Sequence, residues 1–246
     1  MDILETDAYD RRRRRNMSCA LLLSLSPFFF TSAVYFYTWT PASPPSILLA
    51  GVKSAPTLLL AAAVLSWKGG QSLVAMGLVF SAVGDFCLVW QEFFLHGMAA
   101  FAVAHLLYSL TFLSARYQTY SSSSCASLLY LILVLSGGAF FMYLHPFLQK
   151  EPNSDVLIPA VGVYVVLITL MGILAMRTRR AFPLLGGLFF IASDIALALQ
   201  VFKVVAPVAH GQTVVMVTYY LAQLLISVGD VRTVERKNGF GKRKRT

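Results

Sequence analysis

The sequence predicts an all-α membrane protein, a polytopic bundle of about eight transmembrane helices. Hydrophobic residues make up 57% of the 246 residues, charged residues make up only 13%, and the mean hydropathy is +0.69. A soluble domain of this size needs more polar surface than this composition supplies, so most of the chain must face lipid. The apolar residues also form eight stretches, each near the ~20 residues that span the hydrocarbon core of a bilayer.

Short connections separate the eight stretches, and Pro and Gly mark several of them, as Pro44, Gly69 and Gly70 do. No connection is long enough to separate two domains. Arg11 to Arg15 precede a first stretch of full spanning length with no small-residue cleavage site, which predicts a retained first helix rather than a signal peptide. We predict the spans at residues 19–37, 47–67, 73–90, 97–114, 126–144, 156–176, 182–202 and 214–231.

The distribution of Lys and Arg predicts the orientation of the bundle. With a cytoplasmic N-terminus, 17 of the 20 basic residues lie in cytoplasmic segments, against Lys150 and Lys203 outside and Lys53 within a span. Basic residues are enriched on the cytoplasmic side, so both termini are predicted to be cytoplasmic. We therefore divide the chain into a basic tail (1–17), a transmembrane domain (18–231) and a second basic tail (232–246). The net charge of +9 follows from this distribution, and no nucleic-acid partner is expected.

The C-terminal sequence carries a candidate localisation signal. Lys242 and Lys244 lie five and three places from the end of the chain. This spacing resembles the dilysine retrieval signal of endoplasmic-reticulum membrane proteins, which is read on a cytosolic tail. The alternative is a basic tail that attracts anionic lipid.

An internal repeat relates the third and seventh spans. The pattern Gly77-x-x-Phe80-x-x-x-Gly84-Asp85 aligns with residues 186–194, which end in Asp194. The two motifs are offset by four helices, as a parallel repeat of four plus four helices requires. The alternative is chance similarity between two apolar segments.

Three charged residues lie well inside predicted spans: Lys53, Asp85 and Asp194. A charge at this depth costs at least about 2.5–3.5 kcal/mol, so such residues usually face a bundle interior or a wet cavity and indicate function. Asp230 falls at the cytoplasmic end of the last span, where we expect it to contact water. The three charges lie roughly 8–12 Å from the lumenal ends of their helices. His105 lies at a similar depth, and Tyr219, Tyr220 and Gln223 lie at this depth or somewhat deeper. Tyr108 lies on the same helix face as His105.

Five segments carry these polar residues in a consistent order. They are VKSAP at 52–56, GLVFSAVGD at 77–85, GMAAFAVAHLLY at 97–108, LFFIASD at 188–194 and TYYLAQLLI at 218–226. In order and spacing they resemble the lysoplasmalogenase family of integral membrane proteins, close to its animal transmembrane members. The resemblance covers about residues 26–226.

This resemblance implies an eight-helix fold and a hydrolase without a cofactor. It implies cleavage of the vinyl ether bond of lysoplasmalogens, lipids of the membrane itself, to a fatty aldehyde and glycerophosphoethanolamine or glycerophosphocholine. The chemistry of the residues fits, because hydrating a vinyl ether requires an acid that protonates carbon and a carboxylate that stabilises the resulting cation or activates water, as in glycosidases. Unequal surroundings can give two like carboxyl groups these two roles. We predict catalytic roles for Asp85, Asp194 and His105, and substrate contacts for Lys53, Tyr108, Tyr219, Tyr220 and Gln223.

Three other interpretations compete with this one. A metal-dependent hydrolase needs about three protein ligands, and His105 is the only histidine deep in a span, so we predict no metal. A proton-coupled or lipid transporter uses intramembrane charges and repeats of this kind. A scaffold would use the polar layer only to join helices, at about 0.6 kcal/mol for each interhelical hydrogen bond.

Overall fold

A computed structural model describes residues 3–40, 43–67, 70–117, 124–206 and 210–243. Within these ranges the chain forms eight α-helices and a short 3-10 helix at Gln91–Phe93, with no β-strand. The predicted all-α fold class is confirmed. The helices are α1 (Ile3–Thr38), α2 (Ile47–Ser66), α3 (Ser72–Cys87), α4 (Phe94–Leu113), α5 (Ser124–Leu148), α6 (Ser154–Arg177), α7 (Ala181–Val201) and α8 (Gly211–Arg243).

Seven of the described helices are long and apolar enough to cross a membrane. The exception is α3, whose 16 residues extend about 24 Å. We predicted that the third span continues to residue 90, but α3 ends at Cys87, and a turn and the 3-10 helix follow. The described parts of the two basic tails, residues 3–17 and 232–243, are helical and belong to α1 and α8. Lys68, Gly69 and the last part of the candidate retrieval signal, Lys244 to Thr246, lie outside the described residues.

Small residues allow α3 to pack closely along α4. A Cβ atom on Gly77 would overlap the ring of Tyr108, and a Cβ atom on Gly84 would lie 2.5 Å from the ring of Phe101. The two glycines are seven residues apart on α3, as the two aromatic residues are on α4, so one face of α3 receives both rings. This packing fixes the height of Asp85, which directly follows Gly84, relative to α4.

The eighth helix is the most buried of the candidate spans, and it packs along α7 and also contacts α2 and α3. The fifth helix lies at the periphery, is hardly buried and packs mainly against α6. The polar residues Tyr219, Gln223, Ser227 and Asp230 follow one face of α8 at helical spacing, and all four are buried. This face brings the polar side chains of α8 into the interior of the bundle.

Asp230 is buried, and the prediction that it contacts water is wrong. Its carboxylate accepts hydrogen bonds from the backbone N–H of Gln71 at 2.8 Å and from Gln71 Nε2 at 3.1 Å. The hydroxyl of Tyr117 donates a third hydrogen bond at 3.3 Å. These donors replace the water that a buried carboxylate loses. Asp230 therefore joins α8 to the start of α3 and to the segment that follows α4.

Asp230→Ala is expected to destabilise the fold by about 3 kcal/mol, because it leaves the buried donors of Gln71 and Tyr117 without an acceptor. Thermal unfolding in detergent, compared with the wild type, measures this change. Asp155→Ala is the control, because Asp155 is an exposed acidic residue in the first turn of α6 and should have little effect. Equal melting temperatures for the two variants would contradict the structural role of Asp230.

Candidate active site

An apolar cavity of about 140 Å³ lies between α4, α5, α6 and α7. Its wall is almost entirely hydrocarbon, and Asp194 is the only charged residue in it among the described residues. Tyr164 of α6 adds a hydroxyl to the same wall. The cavity extends along α7 from Ile191 to Phe202, so Asp194 lies in the half near Ile191. Other wall residues include Phe94, Met98, Phe101, Leu133, Phe140, Val161, Ile168, Ile195 and Ala198.

Asp194 belongs to a hydrogen-bonded group with Tyr164 and His105. The Tyr164 hydroxyl donates to Asp194 Oδ2 at 2.6 Å. His105 Nε2 lies 3.0 Å from the Tyr164 hydroxyl oxygen and 3.4 Å from Asp194 Oδ2. The side chain of His105 is fully buried, whereas that of Asp194 is 17% exposed. The carboxylate thus reaches the cavity, and the imidazole supports it from inside the bundle.

Asp85 belongs to a second polar group, formed by α2, α3 and α8. The Tyr219 hydroxyl donates to Asp85 Oδ2 at 2.7 Å, and the Thr57 hydroxyl donates to the same oxygen at 3.2 Å. Lys53 acts on Asp85 electrostatically, and both side chains are buried. A positive charge and two hydroxyl donors offset part of the cost of burying the Asp85 carboxyl group.

The other predicted contact residues lie beside this second group. The Tyr108 hydroxyl donates to Gln223 Oε1 at 2.7 Å, and the Tyr220 hydroxyl donates to the backbone carbonyl of Lys53 at 2.7 Å. All four side chains are buried. The Nε2 group of Gln223 has no hydrogen-bond partner in the described part of the chain, so one buried N–H donor beside the Asp85 group is unpaired.

Aromatic rings connect the two polar groups. The Phe190 ring lies 4.7 Å from the His105 ring and 5.6 Å from the Tyr219 ring, measured between centroids. Phe101, which lines the cavity, lies 5.7 Å from Tyr219. The Asp194 and Asp85 groups therefore flank one layer of packed rings.

The structure brings the predicted site residues into two neighbouring groups. No hydrogen bond or ion pair joins Asp85 and Asp194 among the described contacts, and Asp194 is the only predicted site residue in the cavity wall. The structure also adds Thr57 and Tyr164, which the sequence analysis missed. Depth could have identified Tyr164, because it lies eight residues, or about 12 Å, after the predicted start of the sixth span at residue 156.

The described residues contain no group of three His, Cys, Asp or Glu side chains that could hold a metal ion. The hydrogen-bonded groups around Asp85 and Asp194 are built from hydroxyl, imidazole and carboxyl side chains, with Lys53 as the nearby cation. The chemistry that this arrangement offers directly is proton transfer and electrostatic stabilisation.

Comparison with known proteins identifies the family. The YhhN family model matches residues 48–229, which contain every predicted site residue. The chain belongs to the YhhN family. This match spans most of the transmembrane bundle, from the start of α2 to near the end of the membrane-spanning part of α8.

Named lysoplasmalogenases of other species are similar to this chain over most of its length. The lysoplasmalogenase TMEM86B of Sus scrofa is 40% identical over 83% of this chain and 84% of its own length. The lysoplasmalogenase TMEM86A of Bos taurus is 34% identical over 86% of this chain and 90% of its own length. The lysoplasmalogenase TMEM86B of Homo sapiens is 38% identical over 85% of this chain and 87% of its own length. No solved structure matches this chain. The resemblance inferred from the sequence motifs is confirmed.

Proposed function

We propose that this protein is a lysoplasmalogenase, which hydrolyses the vinyl ether bond of lysoplasmalogen by acid–base catalysis from Asp85 and Asp194. The observation that carries the proposal is the position of Asp194, a hydrogen-bonded carboxyl group in the wall of a largely apolar cavity. Relatives named lysoplasmalogenases cover most of the chain and support the activity.

The lining of the cavity suits the apolar chain of a lysolipid. A single alkenyl chain is apolar, and the cavity wall offers it hydrocarbon contacts from α4, α5, α6 and α7. The peripheral position of α5 places the cavity near the surrounding lipid. The vinyl ether bond lies where the alkenyl chain of the lipid joins its polar part. The binding site therefore needs an apolar surface for the alkenyl chain next to an acidic group for the ether bond. Asp194 and its neighbours supply that combination.

The proposed reaction consumes one water molecule. An acid protonates the vinyl carbon farther from oxygen, and the carbon attached to oxygen becomes part of an oxocarbenium ion. A carboxylate stabilises this cation and removes a proton from the attacking water. The resulting hemiacetal collapses to a fatty aldehyde and an alcohol, which is glycerophosphoethanolamine or glycerophosphocholine. Water attack leaves the first carboxyl group ionised and the second protonated. Collapse of the hemiacetal restores both, because the ionised group removes the hemiacetal hydroxyl proton and the protonated group gives its proton to the departing alcohol oxygen.

The remaining predicted residues have supporting roles in this proposal. His105 orients Asp194 through the contacts described above. Lys53, which acts electrostatically on Asp85, would interact with the substrate phosphate or with that carboxyl group. Tyr108, Tyr219, Tyr220 and Gln223 would hydrogen-bond the ether or glycerol oxygens when the substrate displaces their present partners.

The activity is tested with purified protein and lysoplasmalogens that carry ethanolamine or choline headgroups. We expect release of fatty aldehyde, and reaction in D₂O should place deuterium on the carbon next to the aldehyde because the proton on that carbon comes from the acid. A saturated 1-alkyl lysolipid should remain intact, since it has no double bond to protonate. Lipid or ion flux in liposomes without aldehyde formation would contradict the proposal and favour a transporter.

Filling the cavity should weaken substrate binding. Ala198 lies in the cavity wall one helical turn after Asp194, and Ala198→Phe is expected to raise the KM for long-chain substrate about tenfold, because a ring occupies the space of the chain. The matched control is Ala192→Phe, which adds the same ring to an exposed position of α7 outside the cavity wall. Steady-state kinetics on both variants would contradict this assignment if their KM values were equal.

We also propose an endoplasmic-reticulum location with both termini in the cytoplasm. The 17 basic residues assigned to one side of the membrane and the pair Lys242 and Lys244 support this arrangement. Antibody access to tags at both ends of the chain, in cells with a selectively permeabilised plasma membrane, tests the orientation. A tag that stays protected would contradict it.

A further inference from the structure

Tyr164 makes two polar contacts at the cavity, one to a carboxylate and one to an imidazole. Its hydroxyl oxygen lies 2.6 Å from Asp194 Oδ2 and 3.0 Å from His105 Nε2. A tyrosine hydroxyl carries a single proton and can also accept hydrogen bonds. If the hydroxyl donates its proton in one of these hydrogen bonds, its oxygen must be the acceptor in the other.

The proton of Tyr164 is best placed on the shorter contact, because an ionised carboxylate can only accept hydrogen bonds. The hydroxyl oxygen must then accept from His105 Nε2, so the proton of a neutral His105 lies on Nε2. The other ring nitrogen, Nδ1, is buried and has no hydrogen-bond partner among the described residues. A neutral imidazole with its proton on Nε2 leaves a bare acceptor at Nδ1, which is less costly to bury than a charged N–H donor without a partner.

The contacts of Asp194 are one-sided. Both the hydroxyl of Tyr164 and the imidazole of His105 approach Oδ2. Oδ1 has no hydrogen bond in the described part of the chain, and Asp194 lies in the wall of the cavity. Oδ1 is therefore the carboxylate oxygen available to a bound substrate or water.

We propose that Tyr164 is a positioning residue for the proposed hydrolysis: it donates to Asp194, accepts from His105, and so presents Asp194 Oδ1 to the substrate. This inference rests on the proposed function and refines it. Asp194 takes the part of the carboxylate that stabilises the oxocarbenium ion and activates water. Asp85, the other carboxyl group of the proposed pair, then takes the part of the acid that protonates carbon.

Tyr164→Phe tests this role, because it removes the hydroxyl and keeps the ring. We expect kcat to fall about 10-fold to 100-fold, as for the loss of a hydrogen bond to a charged group, while KM stays within about twofold of the wild type. Tyr143→Phe is the matched control, since Tyr143 is an exposed tyrosine of α5 outside the cavity wall, and it should retain full activity. Thermal unfolding verifies that each variant is folded, and Tyr164→Leu serves as a second variant without a hydroxyl.

A double-mutant cycle with His105→Ala separates positioning from simple packing. If Tyr164 and His105 act as one unit, the double variant should lose much less activity than the product of the two single losses. Three results would each overturn the inference and leave the hydrolase proposal standing. The loss in the double variant could equal the product of the two single losses, Tyr164→Phe could be as active as the wild type, or Tyr164→Phe could raise KM with kcat unchanged. Absence of aldehyde release from the wild type would overturn both.

Discussion

Asp194→Asn is expected to lower the rate of aldehyde release by about 100-fold to 10,000-fold, the range for loss of a positioned acid or base. Asparagine keeps the shape of the side chain and can still accept a hydrogen bond from Tyr164 through its amide oxygen. It has no negative charge to stabilise an oxocarbenium ion and cannot remove a proton from water. The measurement is kcat for lysoplasmalogen hydrolysis by purified protein.

The matched control for this variant is Asp155→Asn, an exposed aspartate at the start of α6. It should retain the wild-type rate. The melting temperature of Asp194→Asn should stay close to that of the wild type, because no buried donor loses its acceptor. A folded Asp194→Asn protein that works at the wild-type rate would remove Asp194 from the chemistry.

Asp85→Asn is expected to produce a loss of similar size for a different reason. Asp85 does not lie in the cavity wall, but it lies within the polar group of Lys53, Thr57 and Tyr219, whose ring packs against the cavity residue Phe101. An acid that delivers a proton to carbon must be able to ionise, and an amide cannot. The same kinetic assay measures this loss.

The Asp85 variant also distinguishes the proposed pair of carboxyl groups from a single one. If Asp85→Asn keeps full activity while Asp194→Asn is inactive, the hydrolase proposal survives with one catalytic aspartate and the pair is wrong. If Asp85→Asn loses activity only because it unfolds, its melting temperature will fall together with the rate. A retained melting temperature and a lost rate are the expected combination.

The sequence predicts the fold well because hydropathy directly reports which segments prefer lipid. All eight predicted spans correspond to helices, and α2 begins at residue 47 as expected. Hydropathy does not report backbone conformation, and this explains the error at α3. Leu88, Val89 and Trp90 are as apolar as the helix before them, yet they form a turn after Cys87.

The sequence predicts the polar residues around Asp85 and Asp194 less completely than it predicts the spans. A lysine or an aspartate within a span is conspicuous because burying its charge is costly. Tyr164 and Thr57 are not conspicuous, because tyrosine and threonine occur in many spans without a function. Their importance depends on contacts with Asp194 and Asp85 that the folded bundle creates.

Asp230 shows a further limit of sequence reasoning. Its position near the end of the last span predicted contact with water, whereas its actual partners are 159 and 113 residues away in the chain. Gln71 and Tyr117 approach Asp230 only after α3, α4 and α8 have packed together. Depth along a helix can be counted from the sequence, but the identity of the neighbouring side chain cannot.

The most direct test is an experimental structure of the wild-type protein with a saturated 1-alkyl lysolipid, which cannot be protonated at a vinyl carbon and should remain intact. The alkyl chain is predicted to lie between α4, α5, α6 and α7, with its ether oxygen and first carbons beside Asp194 and Tyr164. A lipid bound elsewhere, with this cavity empty or its ether group far from Asp194, would contradict the proposed active site.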